Sequence, residues 1–208
     1  MSTISFAITA HNEHVELKRL LDQLISFIHP KDEIIVLLDS TATKEVQDVA
    51  MGYGVKGDYE YHRIFGSLDG DFASFKNTAK RHCTRDWVFF IDADEYLSDG
   101  LKENIHSLLA MNKGLVDVIA LPRINTVEGL TRDHIDKWRW FVDDNGWVNY
   151  PDHQMRICAN KPEIMYVNKV HERLTGWKTI ANLPSGYDLI HPKTIERQEK
   201  QNKFYEAI

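Results

Sequence analysis

The sequence predicts an α/β fold with a mainly parallel central sheet flanked by helices, and three observations predict it. Short all-apolar runs, Ile4 to Ile8, Ile34 to Leu38 and Trp87 to Ile91, carry the unbroken hydrophobicity of strands buried on both faces. Segments of helical spacing separate them, an order that calls for parallel strands joined by crossovers. Each run stops at polar residues: Thr9 to Glu13, Asp39-Ser40, and Asp92-Ala93-Asp94-Glu95. Polar groups at the carboxyl ends of such strands line the rim where open α/β sheets bind ligands.

The elements follow in order. After the first strand, Leu17, Leu20, Leu21, Leu24 and Ile28 recur on one face of a helix that must stop before Pro30. The second strand ends at Asp39, and Lys44 to Ala50 reads as a short helix closed by Gly52. Tyr59 to Phe65 is expected as a third, shorter strand. A helix then starts at Asp71, whose carboxylate suits the positive end of the helix dipole, with Phe72, Phe75 and Ala79 on one face. Beyond the Trp87 to Ile91 strand, Leu101, Ile105, Leu108 and Leu109 mark a helix and Val116 to Leu121 a strand. Residues 123 to 160 are rich in aromatics and turns and read as antiparallel strands, with Asp143-Asp144-Asn145-Gly146 as a hairpin turn. Thr194 to Ile208 reads as a polar terminal helix. The sheet is expected to run through both halves as one domain over 1–208.

Size and composition narrow the classes. The 208 residues, 43% hydrophobic and 27% charged, suffice for a full-sized core. No apolar run is long enough to span a bilayer, and Met1-Ser2-Thr3-Ile4 lacks the basic start of a secretory signal. Cys83 and Cys158 lie far apart without CxxC spacing, which reads as free thiols in a reducing compartment, with the cytoplasm as the expected setting. A net charge of −6 argues against a broad nucleic-acid surface.

Asp92 and Asp94 are spaced to reach one hard cation, and a divalent ion held by one or two carboxylates takes its remaining ligands from phosphate and water. Glu95 is expected to orient or cap the helix behind them. An EF-hand reading fails, because position 96 is Tyr and no glycine stands at 97. Lys76 could offset phosphate charge as a point cation, against the plain alternative of a solvated helix position. His11, Glu13 and His14 lack HExxH spacing and read as a solvated helix start. Trp138, Trp140 and Trp147 suit either sugar stacking or packing.

Taken together, Thr9 to Glu13, Asp39, the Asp71-Phe72-Ala73-Ser74-Phe75-Lys76-Asn77 segment and Asp92-Ala93-Asp94 resemble family 2 glycosyltransferases of the GT-A fold, which is Rossmann-like with an antiparallel acceptor-side extension. Lys76 stands where Arg is commoner. Tyr150-Pro151-Asp152-His153-Gln154-Met155-Arg156-Ile157 is similar to a segment of the branch containing lipopolysaccharide-core and peptide glycosyltransferases. Val170-His171-Glu172 looks like that branch's Val-His-Glu motif, and His191-Pro192 like its late histidine. The QxxRW signature of processive synthases is missing.

The resemblance implies a nucleotide-sugar-binding half over 1–97 and an acceptor-side half over 98–208. It implies a metal-dependent inverting transferase that moves a sugar from a nucleotide-sugar donor, expected to be a UDP-sugar, to a hydroxyl. Donor contacts fall to Thr9, Asn12, Glu13, Asp39, Lys76, Asn77 and Asp92, although Asn77 could instead hold its helix against the first loop. A divalent cation, Mn2+ or Mg2+, falls to Asp94 by direct coordination, with Asp92 touching metal or ribose and His171 or His191 completing the shell or contacting the diphosphate. Inversion requires a general base for the acceptor hydroxyl; Glu172 is favoured, with Asp152 as the competitor. The acceptor stays open among a glycan, a lipid-linked sugar, a protein side chain and a modified nucleobase. A sugar-phosphate nucleotidyltransferase shares the sheet order but calls for a glycine-rich loop where Thr9 to Glu13 has none. A non-catalytic carbohydrate-binding protein would need neither a carboxylate pair for a metal nor a base.

Overall fold

The computed structural model describes residues 2–54 and 59–206. The first half alternates β1 (Ile4–Ala10), α1 (His14–Ile25), β2 (Glu33–Asp39), α2 (Lys44–Tyr53), β3 (Glu60–Gly66), α3 (Phe72–Arg81) and β4 (Trp87–Asp92). Next come β5 (Tyr96–Leu97), α4 (Asp99–Asn112), β6 (Val118–Leu121), β7 (Arg123–Glu128) and α5 (Arg132–Trp138). The chain ends with β8 (Gln154–Ala159), β9 (Met165–Val167), β10 (Arg173–Thr175), β11 (Ile180–Asn182), β12 (Leu189–Thr194) and α6 (Ile195–Glu206).

A seven-stranded sheet runs in the order β11-β6-β8-β4-β1-β2-β3. Strands β3, β2, β1 and β4 are mutually parallel, and β8 is antiparallel to both its neighbours, β4 and β6. Strands from both halves of the chain therefore share one sheet. The unbroken apolar runs follow from its two covered faces. Phe6, Ile8, Val36, Phe89 and Ile91 pack on one face with Leu17, Leu20 and Leu24 of α1, Val46 of α2 and Ile105 of α4. Ala7, Ile35, Leu37, Val88 and Phe90 face the other side, against Ala73, Phe75 and Ala79 of α3. Alternation along each strand sends successive side chains to opposite layers, and each large apolar side chain contributes roughly 1.5–3 kcal/mol by burial. Among the described residues, no helix is long and apolar enough to cross a membrane. Cys83 and Cys158 are free and buried.

Several expectations are corrected. Helix α1 ends at Ile25, short of Ile28, and α2 runs through Gly52 to Tyr53 with Gly54 as its C-cap. The third strand matches β1 and β2 in length, each having seven residues. Residues 123 to 160 are antiparallel only in part: β8 runs antiparallel to β4 and β6, and Asn125 and Val142 form isolated antiparallel bridges with Val148. Strand β7 pairs parallel with β12, and α5 intervenes, started by a reciprocal cap between Thr131 and His134. Helix α5 buries none of its residues, so it leaves no apolar stripe to read. The Asp143 to Gly146 turn exists, with Gly146 at φ 78° and Val142 bridging Val148, but it closes an isolated bridge rather than a ladder. Trp138 and Trp140 pack against each other at 4.7 Å between ring centroids, beside an exposed Phe141.

Candidate active site

The parallel register sets Thr9 beside Asp92, and the Thr9 hydroxyl donates to Asp92 Oδ1 at 3.2 Å. From Asp92 a chain of alternating charges crosses the carboxyl rim. Lys76 Nζ lies 3.1 Å from Asp92 and 2.7 Å from Glu172 Oε1. Arg156 Nη2 lies 2.6 Å from both Asp92 and Glu95, and Arg123 joins Glu95 at 3.1 Å to Asp152 at 2.7 Å. The series runs Glu172, Lys76, Asp92, Arg156, Glu95, Arg123, Asp152. Three cations thus stand between four carboxylates.

This arrangement decides two questions left by the sequence. Lys76 is not on a solvated helix face: it is 4% exposed and closes the gap between α3, β4 and the turn before β10. Burial alone would lower its pKa, but the Asp92 charge leads the opposing effects and raises it. Glu95 does not cap the following helix, since Ser98 is the N-cap of α4. Fully buried, Glu95 accepts from the two arginines and from the Asp92 backbone N–H at 3.1 Å. It orients the arginines, and they in turn hold Asp92 and Asp152. Burial would raise the Asp92 pKa, yet Arg156 and Lys76 hold it well below the usual carboxylate range.

Asp92 and Asp94 have different partners. Asp94 Oδ2 is 3.2 Å from His191 Nε2 on β12 and 3.2 Å from Arg197 Nη2 on α6. Burial opposes ionisation of Asp94, but the His191 hydrogen bond and charge, with Arg197, hold its pKa below the usual range. His191 Nδ1 lies 2.9 Å from Asn125 Oδ1, and Asn125 Nδ2 donates to Asp152 Oδ2 at 2.9 Å. Asp152 accepts from the asparagine NH2 group, so the Asn125 oxygen faces His191 and Nδ1 carries the proton. Nε2 then turns toward a carboxylate, an arrangement that needs positive charge there: an imidazolium proton or a bound cation. Donor atoms 3.2 Å apart also suit adjacent ligands of one ion at roughly 2.1 Å. The residues fit a divalent cation held by Asp94 and His191, with Asn125 as the partner that sets the imidazole.

The other expected residues fall as follows. Asp39 is 5% exposed, and its carboxylate accepts from Thr41 N and Leu68 N, each at 2.8 Å, and from the Thr41 hydroxyl. Burial opposes its ionisation, and these bonds more than offset it, lowering the pKa. Asp39 therefore ties the end of β2 to the turn after β3. Glu13 accepts the His11 and Asn12 backbone N–H groups at 2.9 and 3.0 Å and meets Arg197 at 3.2 Å. Asn12 is exposed on this turn. Asn77 does not hold α3 against the first loop: its Nδ2 and Oδ1 pair with the Tyr166 backbone on β9, each at 2.9 Å. His171 is exposed, at φ 54°, on the turn between β9 and β10.

Among the described residues, three metal-ligating atoms converge only at Glu33, Glu60 and His62. These stand at the start of β2 and within the start of β3, the opposite rim, where Arg85 bridges Glu33 and Glu60. Sequence reasoning missed Arg123, Asn125, Arg197 and the ion-pairing role of Arg156. A faint signal existed for Arg156, a lone cation in the otherwise apolar Met155 to Cys158 run, whereas Arg123 and Asn125 carry no local signal.

A mainly parallel sheet of this order, with carboxylates gathered at its carboxyl rim, is the architecture of the GT-A glycosyltransferases. Residues 5–167 match the family described as Glycosyl transferase family 2, and the chain belongs to that family. The SPbeta prophage-derived glycosyltransferase SunS of Bacillus subtilis (strain 168) is 28% identical over 134 residues, covering 61% of this chain and 28% of that protein. Glycosyltransferase SunS of Bacillus phage SPbeta aligns with the same figures, so the chain spans 28% of the length of these curated relatives. S. aureus TarS 1-349 in complex with UDP-GlcNAc superposes with a TM-score of 0.64 at 14% identity, over 93% of this chain and 59% of that one. Its complex with UDP gives 0.63 at 14% identity, over 91% and 60%. At such identity the likeness is one of fold.

Proposed function

We propose that the chain is a metal-dependent inverting glycosyltransferase that moves a sugar from a nucleotide-sugar donor, a UDP-sugar, to a hydroxyl acceptor. The observation that carries this reading is the pairing of Asp94 with an oriented His191 beside an Asp92 held between two cations. Membership of the family and a fold like that of TarS, described in complex with UDP-GlcNAc, support it. The Val170-His171-Glu172 turn supports placement in the Val-His-Glu branch, and the division into a donor half over 1–97 and an acceptor half over 98–208 belongs to the same proposal.

Asp94 and His191 would hold the cation, and His171 is the other candidate for its shell. A bound divalent ion supplies Lewis-acid stabilisation of the departing diphosphate. Thr9, Asn12, Glu13 and Asp39 line the nucleoside side of the rim, and Lys76 fixes Asp92. Glu172 takes the acceptor proton: Lys76 engages its Oε1, while Oε2 has no hydrogen-bond or ion-pair partner among the described residues. Asp152 is less suited, since Arg123, Asn125 and Gln154 already donate to its two oxygens. The acceptor class stays open among those named above.

The test is hydrolysis of a panel of sugar nucleotides with Mn2+, with and without chelator. The expected result is release of UDP from one donor, lost on chelation. Turnover of no donor by folded protein would sink the reading.

A further inference from the structure

Among the described residues, five basic side chains stand in or beside the network around Asp92 and Asp94, besides the exposed Arg19 that donates to the Asp94 carbonyl, and four of the five are matched by carboxylates. Lys76, Arg156 and Arg123 each bridge two carboxylates, and Arg197 touches Glu13, Glu16 and Asp94. The fifth, Lys193, has no carboxylate within ion-pair distance among the described residues. Its ammonium donates to the neutral amide of Gln201 at 2.5 Å. Lys193 is half-buried and lies two residues after His191 on β12, so the two side chains leave the strand on the same face. His191 reaches Asp94, and so does Arg197, which lines the same cavity as Lys193. Lys193 and Arg197 are the two cations lining a cavity of about 480 Å3, together with Thr126, Asn145 and the carboxylates Glu16 and Glu128.

A half-buried ammonium held without a counterion is costly unless a ligand supplies the charge. We propose that Lys193 receives the diphosphate of the donor, an assignment that rests on the donor reading given above. During transfer the bond between anomeric carbon and diphosphate oxygen breaks, its electron pair passing to that oxygen. The acceptor oxygen bonds to the carbon, and its proton passes to the base. Lys193 meets the charge gathered on the leaving group. Lys76 is poorly placed for this, because its ammonium is already shared by Asp92 and Glu172.

The test titrates Lys193→Met, Lys193→Arg and wild type with inorganic pyrophosphate, UDP and uridine by calorimetry, first in chelator and then with Mg2+. Lys193→Met should weaken pyrophosphate and UDP by about tenfold or more, the size of one charge-assisted contact. Uridine affinity should hold, and Lys193→Arg should recover most of the loss. Thermal unfolding of each variant checks the fold; if Lys193→Met does not fold, the same comparison is made with Lys193→Gln. Wild-type binding of UDP with no change in the folded Lys193 variant would overturn the assignment and leave the donor reading standing. Wild-type binding of neither pyrophosphate nor UDP would overturn both.

Discussion

Oδ2 of Asp94 lies 3.2 Å from Nε2 of His191, two side chains brought together across 97 positions of sequence. The contact depends on Asn125, which accepts from Nδ1 and is itself fixed by Asp152. Two strands carry it: β7 supplies Asn125 and β12 supplies His191, directly opposite each other in the parallel register.

Asn125→Leu should therefore weaken Mn2+ binding while leaving Asp94 and His191 in the chain. Loss of a partner that orients a ligating histidine typically costs about 10–100-fold in metal affinity. Titration of free Mn2+ followed by electron paramagnetic resonance reads this without turnover. Unchanged affinity would remove His191, or its orientation by Asn125, from the metal assignment.

Lys76→Met should destabilise the protein, because it strands charge at Asp92 and Glu172. Removing one partner of a buried ion pair costs about 3–5 kcal/mol. Asp92 keeps Arg156 and 32% of its side-chain surface, so the expectation falls near the lower limit, about 3 kcal/mol or less. Urea unfolding measures it. Lys76→Arg should retain most of the stability, and a loss as large as that of the Met variant would contradict a charge-based role.

The pattern of what was legible follows from where each signal resides. The buried runs of β1, β2 and β4 and the polar residues ending them are local, so both the sheet and Asp92-Ala93-Asp94 could be read directly. The partners of those carboxylates could not. Arg156 reaches Asp92 from a strand 64 residues later, and the β7–β12 pairing spans a comparable separation. Asp39 was legible as a strand end, but its service as a clamp on Leu68 required the turn after β3. Helix α5, capped but without a buried face, offers composition and no periodicity.

Acid should expose the charge network. Asp92 and Asp94 have folded pKa values below those of an unfolded aspartate, about 3.9. A depressed carboxylate pKa contributes stability that is present above the unfolded value and lost as pH falls toward the folded one. Unfolding free energy should thus fall between about pH 5 and pH 3, with a smaller fall in Asp94→Asn. Denaturant titrations across that range check it, and an identical slope in the variant would show that Asp94 carries no such linkage.

Asp39→Ala should show two effects. The clamp on the exposed Thr41 and the half-buried Leu68 is lost, at the cost of ordinary hydrogen bonds, about 0.5–1.5 kcal/mol each. If Asp39 also meets the nucleoside, which does not change during transfer, donor KM should rise far more than kcat falls. Steady-state kinetics at a temperature where the variant is folded separates the two. A pure loss of kcat would place Asp39 in the chemistry.

The choice of base turns on what each carboxylate already accepts. Asp152 is held by Arg123, Asn125 and Gln154; burial opposes its ionisation, but the Arg123 charge and these bonds lower its pKa. A carboxylate so stabilised is a poorer proton acceptor, and its side chain serves chiefly to hold Asn125 and Arg123. Glu172 gives one oxygen to Lys76, and the other has no hydrogen-bond or ion-pair partner among the described residues. Glu172→Gln keeps the shape and removes the proton-accepting capacity, so kcat should fall by about 10²–10⁴ with UDP affinity preserved. Asp152→Asn should act differently, lowering stability and Mn2+ affinity through Asn125, with a smaller loss of turnover at saturating metal. If Asp152→Asn abolishes turnover while Glu172→Gln stays active, the two roles are exchanged. If both variants turn over near the wild-type rate, neither carboxylate is the base, and the inverting mechanism fails with them.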